Sequence, residues 1–408
     1  METTEKNTHT FTNYQKFVIA ILAFLQFTII LDFMIISPLG AILMPALKIT
    51  PSQFGVVVSA YAFSSGISGF LAAGFVDRFD RKKILLFFYA GFILGTLFCG
   101  IAPDFHFLLL ARIVTGIFSG MLGATVFAIT TDLFSFQVRG RVMGLLQTAF
   151  AASQILGLPA GLYFSNLWGW HAPFLMIVIV AAIVGVLIVV KLKPVDAHLK
   201  LKPDKSAIHH LLTTITNSNY LLAFVATGLM SLGGYMLMPF GSAFSVHNLG
   251  IEMDKLPMIY MITGFSAIFI GPLVGKLCDT FGKYRIFLFG AALTIVVVII
   301  YTNLGVTPIH WVIVINVLMF MGIFSRMIPS QALMSAMPEP ASRGSFMAVN
   351  SSLQSVAGGA GSVVAGLIVT ESSSGAIEHF DTLGYILVAT VLVTTFMMYK
   401  IHQKVPET

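Results

Sequence analysis

Long apolar runs alternate with short polar stretches along almost the whole chain. A helix needs about 20 apolar residues to cross a bilayer core roughly 30 Å thick. Runs of that length fall near 17–43, 53–76, 83–102, 106–131, 141–165 and 173–191. After a polar stretch, six more follow near 219–244, 256–277, 283–303, 309–335, 344–370 and 383–401. The pattern predicts an all-α polytopic membrane protein with twelve transmembrane helices. It divides into an N-terminal six-helix bundle (1–192), a linker (193–218) and a C-terminal six-helix bundle (219–408). The first run is too long for the core of a signal peptide and is retained as a span.

The two halves repeat one design. Ala73 to Leu85 contains Asp77, Arg78, Arg81, Lys82 and Lys83 between two apolar runs; Gly275 to Arg285 contains Asp279, Lys283 and Arg285 in the same setting. Further on, Arg139-Gly140-Arg141-Val142-Met143 is matched by Arg343-Gly344-Ser345-Phe346-Met347. Each is followed by a run rich in small residues, Gly157-Leu158-Pro159-Ala160-Gly161 in one half and Gly358-Gly359-Ala360-Gly361 in the other. Small residues let membrane helices approach closely, and a proline such as Pro159 can bend one. Two copies in the same order along the chain indicate a parallel repeat, with the halves related by an axis along the membrane normal.

Composition agrees with the span count. The 408 residues are 57% hydrophobic and 10% charged, with a mean hydropathy of +0.91, whereas soluble domains carry about 25% charged residues. With the N-terminus inside, 19 of the 23 basic residues fall in inner loops and tails, and only Lys48 and Lys255 fall outside. The positive-inside rule therefore puts both termini in the cytoplasm. Basic loops facing anionic lipid account for the net charge of +6 without a nucleic-acid partner. Cys99 and Cys278 form neither a disulfide framework nor a metal-ligand pattern. No cofactor is expected.

Three charges fall well inside the predicted spans: Asp32, Arg112 and Arg326. Each is costly at mid-bilayer, which makes each a functional candidate. Asp32 enters span one from the inner side to a depth of roughly 22 Å, and Arg112 enters span four from the outer side to roughly 9 Å. In a core about 30 Å thick the two share a depth. Arg326 lies in the inner half of span ten with no acid beside it in the C-terminal spans. Either it snorkels to the cytoplasm towards Glu339 or the Asp279 loop, or it faces a cavity and meets an anionic group. Softer cargo-contact candidates are Tyr235, Met236 and Met238 in span seven, Asn316 in span ten, and Gln147 and Gln154 in span five.

These motifs resemble the major facilitator superfamily, specifically its twelve-span bacterial drug:proton antiporter branch, close to the sugar and drug efflux permeases. Residues 73–85 resemble the signature between spans two and three, with Asp77, Arg78, Arg81 and Lys82 kept, but Ala73 and Asp80 where glycines are usual. Leu108 to Gly116, with Arg112, is similar to the span-four pattern. Gly157 to Gly161, with Gly169 to Phe174, resembles the antiporter signature of span five, although Gly-Leu-Pro replaces Gly-Pro and His171 stands where Arg is frequent.

The resemblance implies alternating access between two bundles, in the inner membrane of a bacterium, by a monomer that handles protons and a small organic molecule. It implies that spans one and four are neighbours, so that Asp32 and Arg112 form a proton-coupling pair. It also implies that Asp77, Arg78, Arg81 and Asp279 act as an inner latch, and that Gly157, Pro159 and Gly161 serve helix packing. The expected function is efflux of a drug-like molecule or metabolite by proton antiport. The alternatives are efflux of sugar or another metabolite, or transport of an anionic or amphiphilic cargo on Arg112 and Arg326. No Gly-x-x-x-x-Gly-Lys-Ser/Thr loop is present to drive transport with ATP. An intramembrane enzyme is the remote alternative. It would need clustered acids, His or Ser at a membrane face, and Asp104 with His106, or Glu378 with His379 and Asp381, are better read as solvated loops.

Overall fold

The computed structural model describes residues 11–72, 79–196, 199, 214–338, 343–373 and 375–405. Twelve helices among them are long and apolar enough to cross a membrane. In chain order these are α1 (Asn13–Ile35), α2 (Pro51–Ala72), α3 (Arg81–Gly100), α4 (Phe105–Leu133), α5, α6 (Ala172–Lys191), α7 (Ser218–Leu237), α8 (Leu256–Phe281), α9 (Lys283–Thr302), α10 (Ile309–Ser335), α11 (Arg343–Ile368) and α12 (Phe380–Lys404). The fifth is composite: Phe136–Ala152, a π-helical turn at Ser153–Gly157, and Leu158–Trp168. Pro159 lacks the N–H that a regular helix would use at that point, and π-bulges relieve such a loss.

Local chemistry sets several ends. Thr12 accepts from the Gln15 backbone while the Gln15 side chain accepts from the Thr12 N–H, a reciprocal capping box that starts α1. Asp80 and Asp104 cap α3 and α4 by accepting from the backbone N–H groups of Lys82 and Phe107. Gly282, at φ 92°, makes the tight turn from α8 into α9.

Helix packing makes the repeat visible. In the first half, α1 packs on α5 and α6, α3 on α4 and α6, and α2 on α4. Six helices later the same pairs recur: α7 on α11 and α12, α9 on α10 and α12, and α8 on α10. Between the halves, α2 packs on α11 and α5 on α8, and a two-fold axis exchanges these two pairs. The fold is thus two six-helix bundles related by pseudo-two-fold symmetry.

Two predicted spans are broken at the ends that lie away from the chain termini. The run 17–43 is α1 followed by a turn and a separate helix, Gly40–Leu47; the run 219–244 is α7, a tight turn at Met238–Phe240, and a separate helix, Gly241–His247. Proline explains both, because it removes a helical hydrogen bond and disfavours helix in the preceding residue. Pro38-Leu39-Gly40 and Pro239-Phe240-Gly241 are a further pair of repeated segments. The two breaks meet across the halves. A Cβ at Gly40 would stand 3.1 Å from both the Phe54 ring and the Pro239 carbonyl oxygen, and Ser242 Oγ donates to the Ser37 carbonyl at 3.1 Å. Phe54 and Phe240 meet edge-on at 5.9 Å, and Asn166 Nδ2 donates to the Met253 carbonyl at 3.2 Å. Among the described residues, every hydrogen bond joining the two bundles lies at this end, away from the chain termini.

At the opposite end, Arg81 Nε pairs with Asp132 Oδ2 at 2.9 Å. This ties the start of α3 to the end of α4 within one half. Asp279 is exposed at the end of α8. Asp77 and Arg78 lie outside the described residues, as does most of the linker.

Candidate functional site

The one acid of α1 sits in its last turn. Asp32 is fully buried there, and Arg112, also fully buried, reaches it from the second turn of α4. Arg112 Nη1 donates to Asp32 Oδ2 at 2.9 Å and to the Asp32 backbone carbonyl at 3.2 Å. One nitrogen therefore satisfies both the carboxylate and a carbonyl near the negative end of α1, where a cation is favoured and a lone acid is not. The guanidinium carbon lies 4.3 Å from the centre of the Tyr61 ring of α2, in cation–π contact. Three helices thus converge on one ion pair.

The pair is only partly satisfied. Asp32 Oδ1, Arg112 Nε and Nη2 and Tyr61 Oη are enclosed without a hydrogen-bond partner in the protein, as is Oγ1 of Thr96, whose side chain lies beside the Asp32 carboxyl. Buried polar atoms are normally paired, and exceptions cluster where a group must change state. An aromatic column leads outward from the pair: Tyr61 to Phe33 at 5.4 Å, and Phe33 to Tyr235 of α7 at 5.7 Å between ring centres. It crosses from the first half to the second at the depth of the charges.

Close backbone approach positions the elements. At Gly116, one turn after Arg112, a Cβ would come within 2.6 Å of the Tyr61 carbonyl oxygen. Gly116→Val is expected to force α2 and α4 apart and to lower stability by about 1–3 kcal/mol, the usual cost of overpacking. Thermal unfolding of the purified variant measures this; an unchanged melting temperature would show that the two helices are free to separate.

The other sequence candidates fall differently. Tyr235 is half-buried on the aromatic column. Met236 is fully buried in the hydrophobic core and is a packing residue, because its position on α7 faces inward, whereas Met238 is half-buried in the turn that follows. Asn316 Nδ2 donates to the Val312 carbonyl of its own helix at 2.9 Å. Gln147 is exposed and Gln154 buried, with the Gln154 main chain packed against Gly264 of α8. Gly157 and Gly161 face Leu31 and Ile35 of α1, and Pro159 is buried between them, in keeping with packing roles. Arg326 is 8% exposed, its Nε has no hydrogen-bond partner and no described acid pairs with it, while Glu339, one of its two expected partners, lies outside the described residues. Tyr61, Phe33 and Asp132 are absent from the sequence candidates. Nothing separates Tyr61 and Phe33 from other aromatics in apolar runs.

Residues 22–402 match the family described as Major Facilitator Superfamily. The chain belongs to this superfamily. It is 27% identical over 287 residues to Multidrug resistance protein 2 of Bacillus subtilis (strain 168), a match covering 67% of this chain and 70% of that protein. It is 24% identical to the uncharacterized MFS-type transporter YbcL of the same organism, covering 92% of this chain and 95% of that one. The alignment to another relative there, YceJ, spans 39% of that protein's length at 33% identity. Among solved structures, the nucleoside transporter NupG superposes with a TM-score of 0.76 over 95% of this chain and 99% of that chain at 14% identity. An inward-facing, occupied bacterial homologue of the human lysosomal transporter Spinster gives 0.73 over 97% and 98% at 15%. Family and fold are those of multi-pass membrane transporters.

Proposed function

We propose that this protein is a secondary transporter that moves a small organic molecule out of the cell in exchange for protons, with Asp32 as the proton carrier. The observation that carries this reading is the fully buried Asp32–Arg112 pair, in which one carboxylate oxygen is held by arginine and the other has no partner. Oδ1 is the atom that receives the proton. An isolated buried carboxylate is strongly disfavoured and neutralises by taking up a proton. Contact with Arg112 favours the charged form of Asp32, and separating the two favours uptake of a proton. The Tyr61–Phe33–Tyr235 column links that change to the seam between the bundles. Phe33 and Tyr235 have to part when the outer end opens, so the charge state of the pair biases the seam.

Relatives named as multidrug resistance proteins support a drug-like cargo and export. The bilayer is taken as a bacterial cytoplasmic membrane, with both termini inside and the outer end sealed in this structure. Cysteine accessibility at positions 82, 141, 205, 283 and 343 should report all five as cytoplasmic; two or more reporting outside would overturn the orientation. The function is tested with purified protein in liposomes under an imposed pH gradient. Cargo movement should follow the gradient and collapse when an ionophore dissipates it. Transport indifferent to the gradient would remove protons from the cycle.

A further inference from the structure

Arg326 is the one deep charge that the proton-coupling pair does not use. It lies nine residues from the inner end of α10, with 8% exposure. Of its three side-chain nitrogens, Nε is enclosed without a hydrogen-bond partner. The twelve helices hold few carboxylates to offer it. Asp32 is committed to Arg112 and Asp132 to Arg81, Asp279 is exposed at the end of α8, and Asp381 sits in the first turn of α12. A buried cation that lacks both a counter-ion and full hydrogen bonding is strongly disfavoured unless something completes it.

The surroundings say what that is. Residues three, four and seven apart share a helix face. The Arg326 face therefore includes Met319, half-buried; Ile323, 42% exposed; and Ser330, buried, with its Oγ donating to the Met327 carbonyl. Gly322 and Pro329 on the same face are also buried, so the enclosed guanidinium shares its face with an apolar strip whose exposed edge is Ile323. Acyl chains cannot complete a guanidinium, whereas an anionic group seated on that face can. Among the described residues a cationic cargo finds no uncommitted carboxylate at depth, whereas an acid group finds an arginine with donors to spare.

We infer that the cargo is an amphiphilic organic anion whose planar acid group pairs with Arg326 while its apolar body lies along the Met319–Ile323 strip. This deepens the transport reading above and rests on it. A carboxylate suits the fork of the guanidinium, which offers two parallel donors. The acid could equally belong to the headgroup of an anionic lipid, and the experiment separates the two.

Purified protein in a neutral detergent is unfolded thermally in the presence of 2-naphthoate, of 2-naphthylmethanol as its uncharged analogue, of tetraphenylphosphonium, or of phosphatidylglycerol. Naphthoate is expected to raise the melting temperature saturably, with the alcohol and the cation ineffective at equal concentration. Arg326→Gln should weaken the naphthoate response by about tenfold or more, and Arg326→Lys by less. Lys400→Gln, an exposed position near the end of α12 that shares no partner with Arg326, should leave that response within about twofold. Stabilisation by the phosphonium in place of naphthoate, or a naphthoate response unchanged in Arg326→Gln, would overturn the inference. So would Arg326-dependent stabilisation by phosphatidylglycerol alone, which assigns the site to lipid. If Arg326→Gln fails to fold, Arg326→Lys and the charge comparison on unaltered protein still decide. Transport by the unaltered protein that is indifferent to the pH gradient, with the naphthoate response intact, would count against proton coupling and leave the anion site standing.

Discussion

Asp32→Asn is expected to abolish pH-driven accumulation in liposomes while the protein still folds and inserts. Asparagine is nearly the same size as aspartate, and its amide oxygen can still accept from Arg112 Nη1, so the 2.9 Å contact has a neutral replacement. It cannot take up and release a proton, so the two ends of the cycle become equivalent in charge. Downhill cargo exchange without a gradient should survive, because a transporter can change shape without being coupled. The two assays in one preparation, gradient-driven uptake and gradient-free exchange, separate coupling from folding. Full gradient-driven accumulation by a well-inserted Asp32→Asn protein would exclude Asp32 as the carrier.

Arg112→Gln should be the more damaging single change for stability. Removing one member of a buried ion pair costs about 3–5 kcal/mol, since the partner carboxylate must either stay charged in an enclosed site or take up a proton. Here the guanidinium also covers a last-turn carbonyl of α1 and lies over Tyr61, so glutamine forfeits two further contacts. The double variant Asp32→Asn, Arg112→Gln should regain much of that stability, because neither charge is then stranded. A coupling energy of about 1–3 kcal/mol between the two positions is expected. It should not regain gradient-driven transport. Thermal unfolding of the four proteins gives the cycle, and strictly additive losses would mean that the pair does not act as a unit.

The aromatic column has a consequence for regulation of the seam. Phe33 belongs to α1 immediately after Asp32, and Tyr235 belongs to α7 within one turn of its Pro239 break. The buried ion pair and the closed seam are therefore separated by three rings, not by a long chain of contacts.

The number of spans, the doubled halves and the burial of Asp32, Arg112 and Arg326 were legible in the residues themselves. Hydropathy and helical rise act locally, so the depth of a charge can be read without knowing its neighbours. Matching depth also paired Asp32 with Arg112 once their helices were taken as adjacent. Other features needed packing. The breaks at Pro38 and Pro239 look like continuous apolar runs, because apolar content continues through a proline that interrupts the hydrogen bonds. Met236 and Met238 are two positions apart on one segment, yet one is core and the other borders a turn, and only the rotation of α7 against its neighbours decides which. Arg81 could have faced either bundle until the end of α4 brought Asp132 to it. Arg326 could have reached the surface on a long side chain, and in the structure it is 8% exposed. Sequence by itself determined which groups enter the membrane and how deeply, since transfer from water is a property of each residue and its run. Tertiary structure alone decided which of them have partners, since contacts between residues 80 or more positions apart depend on how helices cross.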